Sequence, residues 1–142
     1  MIVIDTNVVS ALLTGARHPA LVPVRNWAAQ QGPGDVYVTA ITRAEVAVGV
    51  AKLEDGRRKD ALTQAAAAYF EAMEPYTLDF TATVADRYAA VTIARQRAGR
   101  PISILDAQIA AIALHAKASL ATRNTKDFEG IGLRLIDPYR GP

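Results

Sequence analysis

The sequence predicts a single α/β domain around a mostly parallel sheet. Short apolar runs of β-forming residues alternate with longer helical stretches along the whole chain, as strands joined through helical crossovers do. Gly, Pro, Asn and Asp fall in the gaps between these runs, where a chain must turn. A length of 142 residues suits one hydrophobic core, so residues 1–142 are expected to form one domain.

The elements follow in order. Ile2–Asp5 reads as the first strand and Val8–Leu13 as the helix after it. A helix over Ala20–Gln30 is ended by Gly32-Pro33-Gly34-Asp35, ahead of a strand at Val36–Thr39. The next helix, Thr42–Leu53, starts with Thr42 and Glu45 at the spacing of a capping box. Asp55-Gly56 separates it from a helix over Arg57–Met73. A strand around Tyr76–Leu78 leads to the helix Ala82–Ala98, with Thr81 as its N-cap. Gly99 and Pro101 break the chain before a helix over Ser103–Lys117, capped by Ser103. Strands at Ser119–Thr122 and Leu133–Ile136 complete the sheet, and Pro138 follows the last.

Composition narrows the function classes. The chain is 51% hydrophobic and 21% charged, which is globular and neither fibrous nor disordered. It has no cysteine, which excludes a disulfide framework and thiolate metal sites and suits a reducing cytoplasm. No basic segment precedes Asp5, so no signal peptide is expected. The apolar run around Ile109–Leu114 falls far short of the roughly 18 residues of a membrane span, so no membrane partner is expected. A net charge of +2 permits a polyanionic partner without arguing for one.

The chemistry-bearing signal is a set of acids in apolar settings. The first strand ends on Asp5, at the carboxyl edge where open α/β sheets collect ligands. Between Ile102 and Leu114 the polar residues are Ser103, Asp106 and Gln108, and Asp106 lies within the inward stripe Ile102, Leu105, Ile109, Ala113. As a first-turn carboxylate it also favours the helix dipole. Glu45 shares a helix face with Ile41, Ala44 and Val48, and a local capping role is open to it as well. Buried carboxylates cost several kcal/mol each unless paired or bound to a cation. Acids converging from separate parts of the chain are what a Mg²⁺ or Mn²⁺ site requires. The stretch Thr122–Phe128 adds Thr122, Asn124 and Asp127 at another strand end, as oxygen ligands or as turn formers.

"VIDTNVV", "ITRAEV", "ILDAQIAAIAL" and "LATRNTKDF" together resemble the four signature blocks of PIN-domain proteins, nearest to the VapC-like and FitB-like toxins of bacterial toxin–antitoxin pairs. The resemblance spans essentially the whole chain. It implies a three-layer α/β/α sandwich, with Asp5, Glu45 and Asp106 as the catalytic acids and metal ligands for Mg²⁺ or Mn²⁺. Asn7 and Thr122 match the family's secondary polar positions. Where many relatives carry a fourth Asp this chain has Asn124, so Asn124 or Asp127 completes the set. Arg43 and Arg123, beside the motifs, are the first candidates for binding substrate, and Arg95, Arg97 and Arg100 could extend a groove. His18 and His115 fall outside the motifs.

The implied activity is a metal-dependent endoribonuclease that acts as the toxin of such a pair. Its implied partners are an RNA substrate, a cognate antitoxin and a second copy in a homodimer, with DNA met only through the antitoxin. A rival is a weak or inactive PIN module within an antitoxin-containing, DNA-binding repressor complex, which Asn124 favours. A haloacid dehalogenase-type phosphatase wants a second acid two residues after the first, and here that position is Asn7.

Overall fold

The computed structural model describes residues 1–15 and 18–141. Strand β1 (Ile2–Ile4) is followed by α1 (Thr6–Thr14), a 3-10 turn at Pro19–Leu21 and α2 (Val22–Ala29). Strand β2 (Val36–Thr39) leads into α3 (Ala40–Ala51) and α4 (Arg57–Ala72), then β3 (Thr77–Leu78) and α5 (Ala82–Arg97). Helix α6 (Ile104–His115), β4 (Ser119–Ala121), a 3-10 turn at Thr125–Phe128 and β5 (Leu135–Ile136) close the chain.

The five strands form one sheet in the order β3-β2-β1-β4-β5, and every neighbouring pair is parallel. Strand β1 lies at the centre, with Ile2 opposite Val36 of β2 on one side and Ser119 of β4 on the other. The chain winds from β1 to one edge through β2 and β3, then returns to add β4 and β5 on the opposite side. The gap between β1 and β4 is therefore the point where the winding reverses, and it is there that open α/β sheets leave a crevice beyond the strand ends.

Side chains alternate across the sheet as the pleat demands. Val3 and Leu120 face one core layer, with Val91 of α5 and Ala107, Ile109, Ala110 and Ala113 of α6. Ile4, Val38 and Ala121 face the other, with Val8 and Val9 of α1, Val46 of α3 and Phe70 of α4. Helices thus cover both faces, as the resemblance implied. Coverage on both sides explains why the strands read as continuous apolar runs. The alanines of α6, fully buried at positions 110, 111 and 113, let that helix approach closely.

Two expectations change at this level. Helix α3 starts earlier than Thr42: Thr39, the last residue of β2, is its N-cap and accepts a hydrogen bond from the Thr42 amide at 3.0 Å. Thr42 and Glu45 therefore form no capping box, and both side chains are free for contacts outside the helix. The expected helix from Ala20 begins instead as the 3-10 turn Pro19–Leu21, and α2 starts one residue before Pro23, where a missing N–H costs nothing.

The supposed basic groove of α5 is also structural at its centre. Arg95 is 5% exposed and donates from Nη1 to the Glu129 carbonyl at 2.9 Å and to the Lys126 carbonyl at 3.4 Å. Arg100 donates to the same Lys126 carbonyl and pairs with the Glu129 carboxylate at 3.4 Å. Together they strap down the Thr125–Phe128 turn, which carries Asp127. Arg95→Met keeps the apolar stem and removes the donors, leaving the part-buried Glu129 carbonyl short of a partner. It is expected to cost about 1–3 kcal/mol in urea unfolding; an unchanged midpoint would show that the strap does not hold the turn.

Candidate active site

Asp5 stands between β1 and α1 and is tied on both sides. Its backbone N–H donates to the Ala121 carbonyl of β4 at 3.1 Å, continuing the ladder one step beyond the strand. Its Oδ1 accepts the Val8 amide at 3.0 Å, so Asp5 is the N-cap of α1. Its Oδ2 accepts the hydroxyl of Thr122 at 2.5 Å, from the first residue past β4. Thr122 is fully buried, and Asp5 is 5% exposed. Burial pushes the Asp5 carboxyl above the ordinary aspartate range, against the pull of the Thr122 and Val8 hydrogen bonds, and the charge of Asp106 adds to the rise.

Asp106 comes from the first turn of α6, where Ser103 as N-cap accepts its backbone amide at 3.2 Å. Its carboxyl is likewise raised, first by desolvation and then by the charge of Asp127, with a Ser103 hydrogen bond opposing both. Asp5, Asp106 and Asp127 thus form a row in which each carboxylate feels the next. Asn124 takes a different place: its amide donates to Thr122 Oγ1 at 3.1 Å, and its side chain lines an adjoining cavity with Asn7 and Arg123.

Glu45 is tied to the residue that follows Asp5. The Thr6 hydroxyl donates to Glu45 Oε1 at 2.7 Å, and Thr6 Oγ1 also lies 3.2 Å from Thr42 Oγ1. Among the described residues, no three Asp, Glu or His side chains stand together closely enough to hold one cation. The charges of Asp5, Asp106 and Asp127 are linked in turn, and Glu45 is tied to Thr6, the residue that follows Asp5. No Lys, Arg or His among the described residues forms an ion pair with any of these acids. A pair of unneutralised, partly desolvated carboxylates fits Mg²⁺, which keeps several waters and is commonly held through one or two carboxylates.

The two candidate substrate arginines part company. Arg123 follows Thr122 directly, and its guanidinium lies 5.1 Å from the ring centre of Tyr139. Arg43 turns toward the groove between α3 and α4, pairs with Glu74 at 3.2 Å and sits 5.9 Å over Phe70. Sequence reasoning missed Thr6 and Tyr139. Thr6 lies inside the first motif and was hidden by its neighbours. Tyr139 reaches Asn7 across 132 residues, through a hydrogen bond from its hydroxyl to the Asn7 carbonyl at 3.2 Å, and no local pattern announces that.

A parallel sheet sandwiched by helices, with carboxylates converging where its winding reverses, defines a class of protein that comparison identifies. The PIN domain family model matches residues 2–132, and the chain belongs to that family. Within it, the chain is 34% identical over 140 residues to the plasmid stability protein StbB of Pseudomonas syringae pv. tomato, covering 98% of this chain and 99% of that one. It is 31% identical over 140 residues to the VapC ribonuclease Y4jK of Sinorhizobium fredii, covering 98% of each. Among solved structures, FitAB bound to an IR36 DNA fragment matches with a TM-score of 0.91 at 31% identity, over 100% of this chain and 98% of that one.

The raised Asp5 carboxyl has a stability consequence with a definite sign. The folded protein holds that proton to a higher pH than the unfolded chain does. Folding is therefore opposed as the pH climbs from about 4, the ordinary aspartate value, through the raised folded value. Asp5→Asn removes this opposition and keeps an N-cap oxygen for Val8. In the absence of divalent cations, thermal melting should show the variant gaining on the wild type as pH rises to neutrality, with no gain below about pH 4. Parallel profiles would contradict the buried, unneutralised carboxylate.

Proposed function

We propose that this protein is a metal-dependent endoribonuclease, the toxin of a toxin–antitoxin pair. The observation that carries the proposal is the Asp5–Asp106 pair: two partly desolvated carboxylates, raised by burial, beside the sheet's switch point and with no basic partner among the described residues. The kinship with a relative named a VapC ribonuclease supports the choice of RNA as substrate.

Asp5 and Asp106 would hold Mg²⁺ or Mn²⁺, with Asp127 as the nearest further carboxylate. Bound there, the cation makes water more acidic and neutralises charge developing on the phosphate. The protein's own groups set the geometry around it. Thr122 fixes one Asp5 oxygen and the Val8 amide the other, so the carboxylate keeps one orientation. Thr6 occupies Glu45 Oε1, leaving Oε2 to orient the attacking water and take its proton. The water oxygen bonds to phosphorus, the bond from phosphorus to the 3′ oxygen breaks, and the products carry a 5′-phosphate and a 3′-hydroxyl. Antitoxin binding would silence this site. The match to a FitAB complex supports such a partner, and a homodimer in the cytoplasm completes the proposal.

A second reading has one specific observation in its favour. The described residues hold no three-acid cluster, and Asn124, at the position where the resemblance leads one to expect an acid, is neutral. A weak or inactive module, working inside an antitoxin-containing repressor complex on DNA, would fit that observation.

Incubating antitoxin-free protein with a pool of structured RNAs separates the two. Cleavage should need Mg²⁺ or Mn²⁺, stop with EDTA and vanish in Asp106→Asn. A folded protein that leaves every RNA intact in either metal would favour the repressor module. Thr6 gives a finer test. Thr6→Val removes the Glu45 donor and should lower kcat about 10–100-fold, as loss of a group supporting the site's ligands does, while Thr6→Ser stays near wild type. Equal rates for Val and Ser would remove Thr6 from the mechanism.

A further inference from the structure

Beside the carboxylates lies a cavity of opposite chemistry. It encloses about 410 Å³, within the range of small-ligand sites. Asn7, Ser10 and Thr14 of α1 form one wall, and Arg123, Asn124 and Tyr139 form the other. Among the described residues, no carboxylate lines it. Two links of backbone join it to the acids: Asn7 is two residues past Asp5, and Arg123 and Asn124 directly follow Thr122.

Arg123 is arranged for binding. Its guanidinium lies against the Tyr139 ring, 5.1 Å from the centre, and makes no ion pair among the described residues. The ring is itself anchored at both ends. The Tyr139 hydroxyl donates to the Asn7 carbonyl at 3.2 Å, and its backbone amide donates to Asp137 Oδ1 at 3.0 Å. A guanidinium steadied on an aromatic face keeps its N–H edge free, and that planar fork matches phosphate oxygens. The neighbouring amides and hydroxyls can serve a ribose 2′-hydroxyl and the polar edge of an unstacked base.

We propose that this cavity is an RNA subsite for a nucleotide next to the cleaved bond, with Arg123 gripping a backbone phosphate and Tyr139 holding Arg123 in place. The inference rests on the ribonuclease reading and deepens it. It divides the site into a cation-holding half and an anion-holding half, so that one phosphodiester chain can lie across both. An antitoxin side chain is the other candidate occupant. An antitoxin arginine would seek carboxylates, though, and the described lining has a cation instead.

The test is fluorescence anisotropy of a labelled random-sequence single-stranded RNA, in EDTA and over a range of KCl, with wild type, Arg123→Ala, Arg123→Lys and Tyr139→Phe. Arg123→Ala should weaken binding several-fold and reduce the slope of log affinity against log salt by about 0.7, the loss of one single-strand phosphate contact. Arg123→Lys should keep the slope, since the charge remains. Tyr139→Phe, which loses the Asn7 hydrogen bond and keeps the ring, should weaken binding without changing the slope. In Mg²⁺, Arg123→Ala should act mainly on KM.

An unchanged salt slope in a folded Arg123→Ala protein, from a wild type that binds and cleaves RNA, would overturn the subsite alone. The subsite would equally fall if Arg123→Ala weakened binding of the cognate antitoxin and left RNA affinity unchanged. A wild type that neither binds nor cleaves RNA would overturn the ribonuclease reading, and the subsite with it.

Discussion

The hydrogen bond from Thr122 to Asp5 joins residues 117 positions apart, and the rest of the site is arranged around it. It closes the gap between the two central strands just beyond their last ladder bond. A carboxylate at 5% exposure would be costly alone, and three donated hydrogen-bond interactions with its surroundings offset part of that cost. They do not offset all of it, because burial still lifts the Asp5 carboxyl above its ordinary range. The remaining deficit is local and directional. A cation near Asp5 and Asp106 would relieve it.

The fold makes this arrangement cheap to repeat at neighbouring positions. Each parallel strand ends at the same edge, and each following helix begins there with its N–H groups unsatisfied. Asp5, Thr39 and Ser103 are all N-caps at that edge. A capping residue is already a polar group aimed at a strand end, so small changes convert caps into site residues. Asp5 serves in both capacities, while Ser103 caps α6 and so sets Asp106 in its first turn. On the opposite wall, Arg95 and Arg100 spend their charge on the Lys126 and Glu129 groups, which fixes the turn that carries Asp127. The balance of charge around the mouth follows from that division. Among the described residues, Arg95 and Arg100 are committed to that turn, and Arg123 is stacked on an aromatic ring to one side.

Much of this was legible in the sequence. The run Ile2–Ile4 ending on Asp5, and the apolar stripe of α6 interrupted by Asp106, are local patterns with a period, and periods survive in one dimension. They gave the α/β class, the parallel sheet, the caps at Thr81 and Ser103, and the acids at the sheet edge. Thr42 with Glu45 shows the limit. Its spacing fitted a capping box, yet β2 runs to Thr39 and caps the helix first, because strand pairing with β3 carries the strand to Thr39. Arg95 was misread for a related reason: a charge in a basic stretch gives no local sign that the carbonyls of a distant turn will bury it.

What the sequence determined by itself is therefore the succession of elements and the family, since both are written in neighbouring residues. Only the tertiary structure decided which groups meet. It joined Thr122 to Asp5 and Thr6 to Glu45, and stacked Arg123 on Tyr139. These contacts join residues 16 to 117 positions apart, and their geometry comes from strand order and helix packing. No periodicity along the chain encodes a distance across the sheet.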